Sequence, residues 1–466
     1  MTRVSSRALT PVAVHTVAFA GATAGTYELT WAQRGLLRYG ESLGAGSALL
    51  NVRHDEPVTG FSTADLLRAI AAAMHRYEAL RTRFAPAEAT GWCQQVAAEG
   101  ELRVPEFACT APAVETTLAE VIDLVVPPAF GAGELPVRFA LVTVDGRPAR
   151  ILCAAYHPAV DGVAASIACA DVARRTSAPE VAAPPVTNAW QPRQIAAYEQ
   201  SPAGQQRARR AEAYLRDQLR RAPLQRREDR PPMRDTARWP TFTWAHLESE
   251  AVTAAAHRLA RSYGTSPAAV VFAGYLTALT GWLGTTAHTF RLACANRHHR
   301  HTRWSVANLF QPVLISVEPG RRPLPEVCRY VARASLAAYQ HGWFDPARFE
   351  SAHREMQRQR GGRILIPDSV NLRAAGQHSF DAEWAERERI PPGEPRDLAD
   401  RSIIKENTVP ATYPSHDRTF SVWTLVGAAR ITVMGDSTVM PPDRPAQILR
   451  DLVTTLLDAC DGAVRH

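Results

Sequence analysis

Two runs of strand-forming residues, Val137 to Val144 and Ala149 to Ala155, flank the dipeptide Asp145-Gly146. Asp-Gly between two such runs is a hairpin signal, because a tight turn there needs residues that tolerate positive φ. The second run ends in Tyr156-His157-Pro158-Ala159-Val160-Asp161-Gly162, and a small-residue helix, Val163 to Arg174, follows at once. A strand that hands its last residues straight to a helix presents the intervening turn at the edge of a sheet. A His and an Asp in that turn, with Gly after them, are what such a site needs to present a base. His157 is the candidate chemical centre.

The rest of the chain reads as the same kind of alternation. Val12 to Phe19 and Leu49 to Arg53 read as strands. Thr30 is a plausible N-cap for a helix from Trp31, and Ser62 to Asp65 cap a second helix with apolar residues at helical spacing. Thr116 to Leu124 is a third helix. Further on, Ser266 and Pro267 open an apolar helix, Ala268 to Leu283, whose uniform hydrophobicity predicts burial. Strands are expected near 242–247, 289–293, 363–372, 420–426 and 430–434, and a loop with a strand over 306–317. Helices are expected at 202–221, 249–263, 323–342 and 443–461. Strands and helices interleave throughout, which predicts an α+β chain.

A chain of 466 residues exceeds one ordinary core, so two domains of roughly 200 residues each are expected. The Ala- and Pro-rich stretch from Ser177 to Pro192 reads as the linker. This places an N-terminal lobe carrying the His157 turn at 1–180 and a C-terminal lobe at 181–466. No run of about 18 apolar residues predicts a membrane span, and the N-terminus lacks the apolar core of a signal peptide. The seven cysteines are scattered without a C-x-x-C pair, which predicts reduced thiols and a cytoplasmic protein. His298-His299-x-His301 lacks other spaced ligands and reads as an exposed loop, so no metal is expected. The net charge of +7 comes from arginine patches that can steer an acidic partner or simply be solvated. No nucleic-acid motif accompanies them.

Four motifs in order resemble those of the condensation domains of nonribosomal peptide synthetases, within the chloramphenicol-acetyltransferase-like superfamily. They are Leu29-Thr30-x-Ala32-Gln33-x-Gly35-Leu36, Tyr77-Glu78-Ala79-Leu80-Arg81-Thr82-Arg83-Phe84, Tyr156-His157-x-x-x-Asp161-Gly162, and Ala295-Asn296-Arg297 with Asn308 to Val317 after it. The resemblance spans about residues 25–455. Tyr156 stands where the family signature has its first His, and Gln311 stands where the late motif has Asn. The resemblance implies two lobes of mixed sheets flanked by helices, set in a V with the active site in a tunnel between them. No Gly-Gly-x-Ser carrier-attachment run is present, so a free-standing, monomeric domain that meets carrier proteins in trans is expected.

The implied reaction is attack by an amine or hydroxyl on a carrier-bound thioester. No cofactor is expected on the protein itself; phosphopantetheine on the carrier would present the substrate. His157 would take the proton from the nucleophile, since imidazole is neutral and basic near physiological pH. Helix-start amides around Asp161 and Gly162 would face the oxyanion, and Gly162 would allow close approach or an unusual backbone conformation. In the family the Asp is structural and bonded to an Arg; Arg81 is the first candidate partner and Arg297 the second. Tyr156 would pack and orient the turn. Two other functions stay open: a catalytically decayed relative that recruits partners, motivated by Tyr156 and Gln311, and a coenzyme A-dependent acyltransferase on the same fold.

Overall fold

The computed structural model describes residues 9–21, 23–43, 50–87, 91–131, 133–177, 188–225, 241–320, 322–364, 366, 368–373, 390–410 and 418–463. The chain divides into two compact units. The first is Met1–Gln205 together with Ala295–Phe310, and the second is Gln206–Cys294 together with Gln311–His466. This differs from the expected division at residue 180: the first unit runs further, and it takes back a segment from the middle of the second half. Contacts that no local pattern encodes account for that return, as described below. Most of the expected linker, residues 178–187, lies outside the described residues.

In the first unit, β1 (Ala13–Ala20), β3 (Val52–Pro57), β6 (Glu99–Cys109), β7 (Val137–Val144) and β8 (Arg147–Ala155) form a sheet in the order β1-β6-β7-β8-β3. β6 and β7 run parallel and the other pairs antiparallel. The parallel pair needs a crossover, and α3 (Val114–Val125) supplies it, packing Leu118, Val121 and Val125 against Phe107, Ala140, Val142 and Leu152. β2 (Gly25–Tyr27), β4 (Thr82–Ala87) and β5 (Gly91–Val96) make a small second sheet that the sequence did not announce. The expected hairpin is present: Asp145 and Gly146 have φ of 51° and 72°. β8 is interior, and its last residue, Ala155, pairs with Val137 on one side and Val52 on the other.

The helices of this unit begin where their caps predict. Thr30 and Gln33 cap α1 (Trp31–Leu43) reciprocally: Gln33 N–H donates to Thr30 Oγ1 at 3.1 Å, and Thr30 N–H to Gln33 Oε1 at 2.8 Å. Ser62 and Asp65 do the same for α2 (Thr63–Arg76). A short 3-10 turn, Glu78–Arg81, then leads into β4. α4 (Gly162–Ser177) follows β8, and α5 (Pro192–Gln200) sends Glu199 back to accept from the Trp31 amide at 2.7 Å. The boundary to the second unit falls inside α6 (Pro202–Arg221).

The second unit holds a sheet of β10 (Thr241–Ser249), β11 (His288–Cys294), β12 (Gln311–Val317), β14 (Asp368–Leu372), β15 (Ile403–Pro410), β16 (Arg418–Thr424) and β17 (Ala429–Asp436), ordered β12-β11-β14-β16-β17-β10-β15. β11, β14 and β16 run parallel, and the rest pair antiparallel. β9 (Leu224–Gln225) and β13 (Arg363–Ile364) form a separate short pair. α7 (Glu250–Tyr263), α8 (Pro267–Leu283), α9 (Leu324–Gln340), α10 (Pro346–Arg360) and α11 (Arg444–Ala463) share one hydrophobic core with the sheet. α8 is buried along almost its whole length, as its composition predicts. Among the described residues no single helix is long and apolar enough to cross a membrane; α7 and α8 are so only together, and a 104° bend separates them. Both units are thus mixed sheets flanked by helices, as expected.

Candidate active site

The turn after β8 closes on itself before the helix begins. The carbonyl of Tyr156 accepts from the amides of Ala159 at 2.9 Å and Val160 at 3.1 Å, while the Tyr156 amide donates to Pro136 O at 2.8 Å. Pro158, Ala159 and Val160 are buried, and Tyr156 and His157 are half-buried. The His157 ring lies 5.5 Å from the ring of Phe310, centroid to centroid.

Asp161 is the N-cap of α4. Its Oδ1 accepts from the Ala164 amide at 2.8 Å, and its backbone carbonyl takes the Ala165 amide at 2.9 Å. The same Oδ1 accepts from Arg297 Nη2 at 2.7 Å, and Oδ2 accepts from the Leu309 amide at 2.9 Å. The other Nη donors of Arg297 go to carbonyls: Nη1 reaches Ser305 O at 2.6 Å and Thr302 O at 3.3 Å, and Nη2 reaches Ala307 O at 3.2 Å. The Asn308 amide donates to Ala159 O at 2.9 Å. The segment from Ala295 to Phe310 is therefore sewn onto the turn, which is why it belongs to the first unit.

Arg81, the first candidate for the Asp161 partner, does not fill that role. Its Nη1 donates to the carbonyls of Thr23 and Ala97, and its guanidinium packs against Gly21, where a Cβ would sit 2.2 Å from Cζ. Burial pushes its pKa down, against the opposing Glu78 and Tyr27. Arg81 ties loops beside the small sheet. The partner of Asp161 is Arg297.

Gly162 opens α4 with helical backbone and is not among the positive-φ glycines. No unusual backbone conformation therefore calls for glycine at this position. Gln311, in the second unit, is buried and forms a two-way amide clamp: its Nε2 donates to Phe344 O at 2.7 Å, and the Phe344 amide donates to its Oε1 at 3.3 Å.

Tyr156 packs between two rings from different segments, Phe84 of β4 at 5.9 Å and Phe130 of the loop before β7 at 5.8 Å. Burial, with the Glu41 carboxylate adding to it, raises the phenol's pKa above its ordinary value. The hydroxyl therefore stays protonated and able to donate at neutral pH.

The histidine run departs from the expected exposed loop. His299 and His301 are half-buried against Trp190, at 5.2 and 4.7 Å, and the Trp190 amide donates to His301 O at 2.8 Å. Among the described residues no group of three or more His, Cys, Asp or Glu side chains is placed to hold a metal ion. Asn296 and Phe310 lie within the fourth motif, where the sequence assigned them no individual role. Asn296 sits at φ 52° with its Nδ2 donating to Leu309 O at 2.9 Å, a left-handed backbone that Asn tolerates.

Comparison with known proteins adds the family. The Condensation domain family matches residues 23–384. No curated protein sequence matches the chain. Among solved structures, the chain is similar to the condensation domain of chain release in the enacyloxin polyketide synthase, with TM-score 0.68, 15% identity, and 94% of this chain and 82% of that chain covered. It is similar to the first condensation domain of the calcium-dependent antibiotic synthetase bound to a substrate analogue, with TM-score 0.64, 16% identity and 94% and 97% coverage. It is also similar to the X-domain from teicoplanin biosynthesis, with TM-score 0.64, 18% identity and 95% and 97% coverage. At these identities the likeness establishes the fold.

Proposed function

Because the chain belongs to the condensation-domain family, we propose that it joins a carrier-protein-bound thioester donor to an amine or hydroxyl acceptor in peptide natural-product biosynthesis. The supporting observation is the division of labour in the turn. Asp161 is committed to Arg297, the Leu309 amide and the start of α4, whereas His157 stands half-buried beside them. In this reading Asp161 is the scaffold, and His157, in the same turn, is the base.

The reaction follows from that assignment. The acceptor nitrogen or oxygen attacks the thioester carbonyl carbon while His157 accepts its proton, or holds it in line for attack. The new C–N or C–O bond leaves an oxyanion on the former carbonyl. The Ala164 and Ala165 amides are taken by Asp161, so Gly162 and Val163 are the helix-start amides proposed to face that charge. Collapse expels the phosphopantetheine sulfur, which leaves with the proton as a thiol. An amine with a pKa of about 8 requires mainly positioning from the site.

A second reading is a recruitment module that has lost catalysis. Tyr156 favours it by replacing the first signature His, and Gln311 favours it because its amide is clamped to the Phe344 backbone. A third, transfer from acyl-coenzyme A, uses the same turn with a different donor. Intact-mass analysis of the purified protein with donor-loaded carrier protein and candidate acceptors separates the three. Product that depends on His157 supports the first, a stable complex without product the second, and product from acyl-coenzyme A without carrier the third.

A further inference from the structure

We propose that Arg138, in β7, is a positioning residue for the Tyr156-His157 turn, acting through Phe130 and Tyr156; the proposal rests on the assignment of that turn to catalysis. The side chain makes five N–H···O contacts. Nε and Nη2 donate to Glu134 Oε1 and Oε2 at 2.8 and 3.1 Å, Nη1 to Pro128 O and Val125 O at 2.7 and 3.4 Å, and Nη2 to Ala129 O at 2.9 Å. That matches the five donors of a guanidinium in its own plane. The flat face remains, and it lies 4.0 Å from the centroid of the Phe130 ring.

The loop between α3 and β7 is thus clamped from inside the sheet. Asn51 of the strand-flanking segment adds a second clamp, with Nδ2 donating to Val126 O at 2.8 Å and Pro128 O at 3.1 Å. Glu134 turns its carboxylate to the Gly131 amide as well, at 2.9 Å. What the clamp delivers is the Phe130 ring, held 5.8 Å from Tyr156, while Pro136 O at the far end of the loop accepts from the Tyr156 amide at 2.8 Å. The circuit closes through the sheet, since Arg138 lies opposite Ala154 in the β7–β8 register. Arg138, Phe130, Tyr156 and the end of β8 form one closed circuit of contacts, and Tyr156 is the residue that precedes His157.

The side chain at this position must be arginine for a physical reason. Lysine keeps the charge but has neither the planar fork for Glu134 and the carbonyls nor a flat face for Phe130. Losing that order lets Phe130 leave Tyr156, and the peptide shared by Tyr156 and His157 then tilts. A displacement of about 1 Å at a reacting group is enough to lower turnover about a hundredfold.

The test uses the full chain and the variants Arg138→Lys, Phe130→Leu and Phe130→Tyr. Carbethoxylation of His157 by diethyl pyrocarbonate, followed by peptide mass mapping, reports the imidazole without any substrate. Single-turnover condensation from donor-loaded carrier protein reports function. Arg138→Lys and Phe130→Leu should change the His157 modification rate about threefold or more, with His257 and His341 unchanged, and should lower the single-turnover rate constant at saturating acceptor about tenfold with the half-saturating acceptor concentration unmoved. Phe130→Tyr, which keeps the ring, should restore both. An unchanged His157 rate in folded Arg138→Lys and Phe130→Leu proteins overturns the proposal. A changed rate with unchanged turnover leaves the positioning intact and overturns the assignment of His157 to catalysis.

Discussion

Arg297 donates to Asp161 at 2.7 Å across 136 residues of sequence, and the two side chains are 1% and 5% exposed. A pair this deep is tolerated because every oxygen and nearly every donor is spent: on the Ala164 and Leu309 amides from one side, and on the Thr302, Ser305 and Ala307 carbonyls from the other. It joins the start of α4 to a segment 136 residues away, so it shapes the candidate site and holds the first unit together.

Removing one partner strands the other in the interior. Arg297→Met or Asp161→Asn should each cost about 3–5 kcal/mol of unfolding free energy. In urea unfolding the double variant should cost less than the sum of the singles. Additive costs would show that the pair is not coupled.

In the proposed function His157 acts as the base. His157→Ala should unfold at the wild-type urea midpoint and still bind carrier protein, with condensation slowed by about 10²–10⁴. Turnover equal to wild type would remove His157 from the mechanism.

Gln311 stands where the motif that the sequence resembles has Asn. Asn is one methylene shorter and does not span from the start of β12 to both the amide and the carbonyl of Phe344. Gln311→Asn should therefore lower stability by about 1–3 kcal/mol, the cost of leaving buried polar groups unpaired. A thermal midpoint at or above wild type would contradict that role.

Gly21 and Arg81 set a steric prediction. A methyl group on Gly21 would lie 2.2 Å from Arg81 Cζ, and the guanidinium is bonded to Thr23 and Ala97 carbonyls. Gly21→Ala should destabilise by about 1–3 kcal/mol. Combining it with Arg81→Ala, which clears the space, should add less than the two separate costs, and strict additivity would argue against the clash.

His288 gives the second unit a pH dependence. Burial, with the Arg418 cation adding to it, pushes its pKa from 6.5 down to about 4, and its Nε2 lies 3.0 Å from the Thr280 hydroxyl. Between these values the unfolded chain binds a proton that the folded chain refuses. The contribution is whole above pH 6.5 and is lost progressively as pH falls towards 4, reaching about 3 kcal/mol. His246 and His353, also shifted down by burial, act with the same sign. Urea unfolding at pH 7, 6 and 5 should show a shallower decline for His288→Gln than for wild type; parallel curves would reject the assignment.

Much of the local structure was legible because its causes are local. Ser62 with Asp65 and Ser266 with Pro267 start helices at the expected residues, and Asp145-Gly146 turns the hairpin that delivers Tyr156. These depend on caps and on φ preferences carried by a few neighbouring side chains. The small sheet of β2, β4 and β5 was not legible, and neither was α10. The strands of that sheet are short and mixed in character, and α10 is strongly polar, so neither carries the apolar periodicity on which sequence reading depends.

By itself, the sequence determined the alternation of strands and helices, the presentation of His157 at a strand-to-helix turn, and the family, through four motifs in order. Only the tertiary structure decided which arginine meets Asp161, that Ala295–Phe310 returns to the first unit, and that Tyr156 packs between Phe84 and Phe130. The reason is one of range. A cap or a turn is chosen by residues within a few positions of each other. The choice between Arg81 and Arg297 depends on which guanidinium is brought to the carboxylate and desolvated there, and that is set by the packing of elements far apart in the chain.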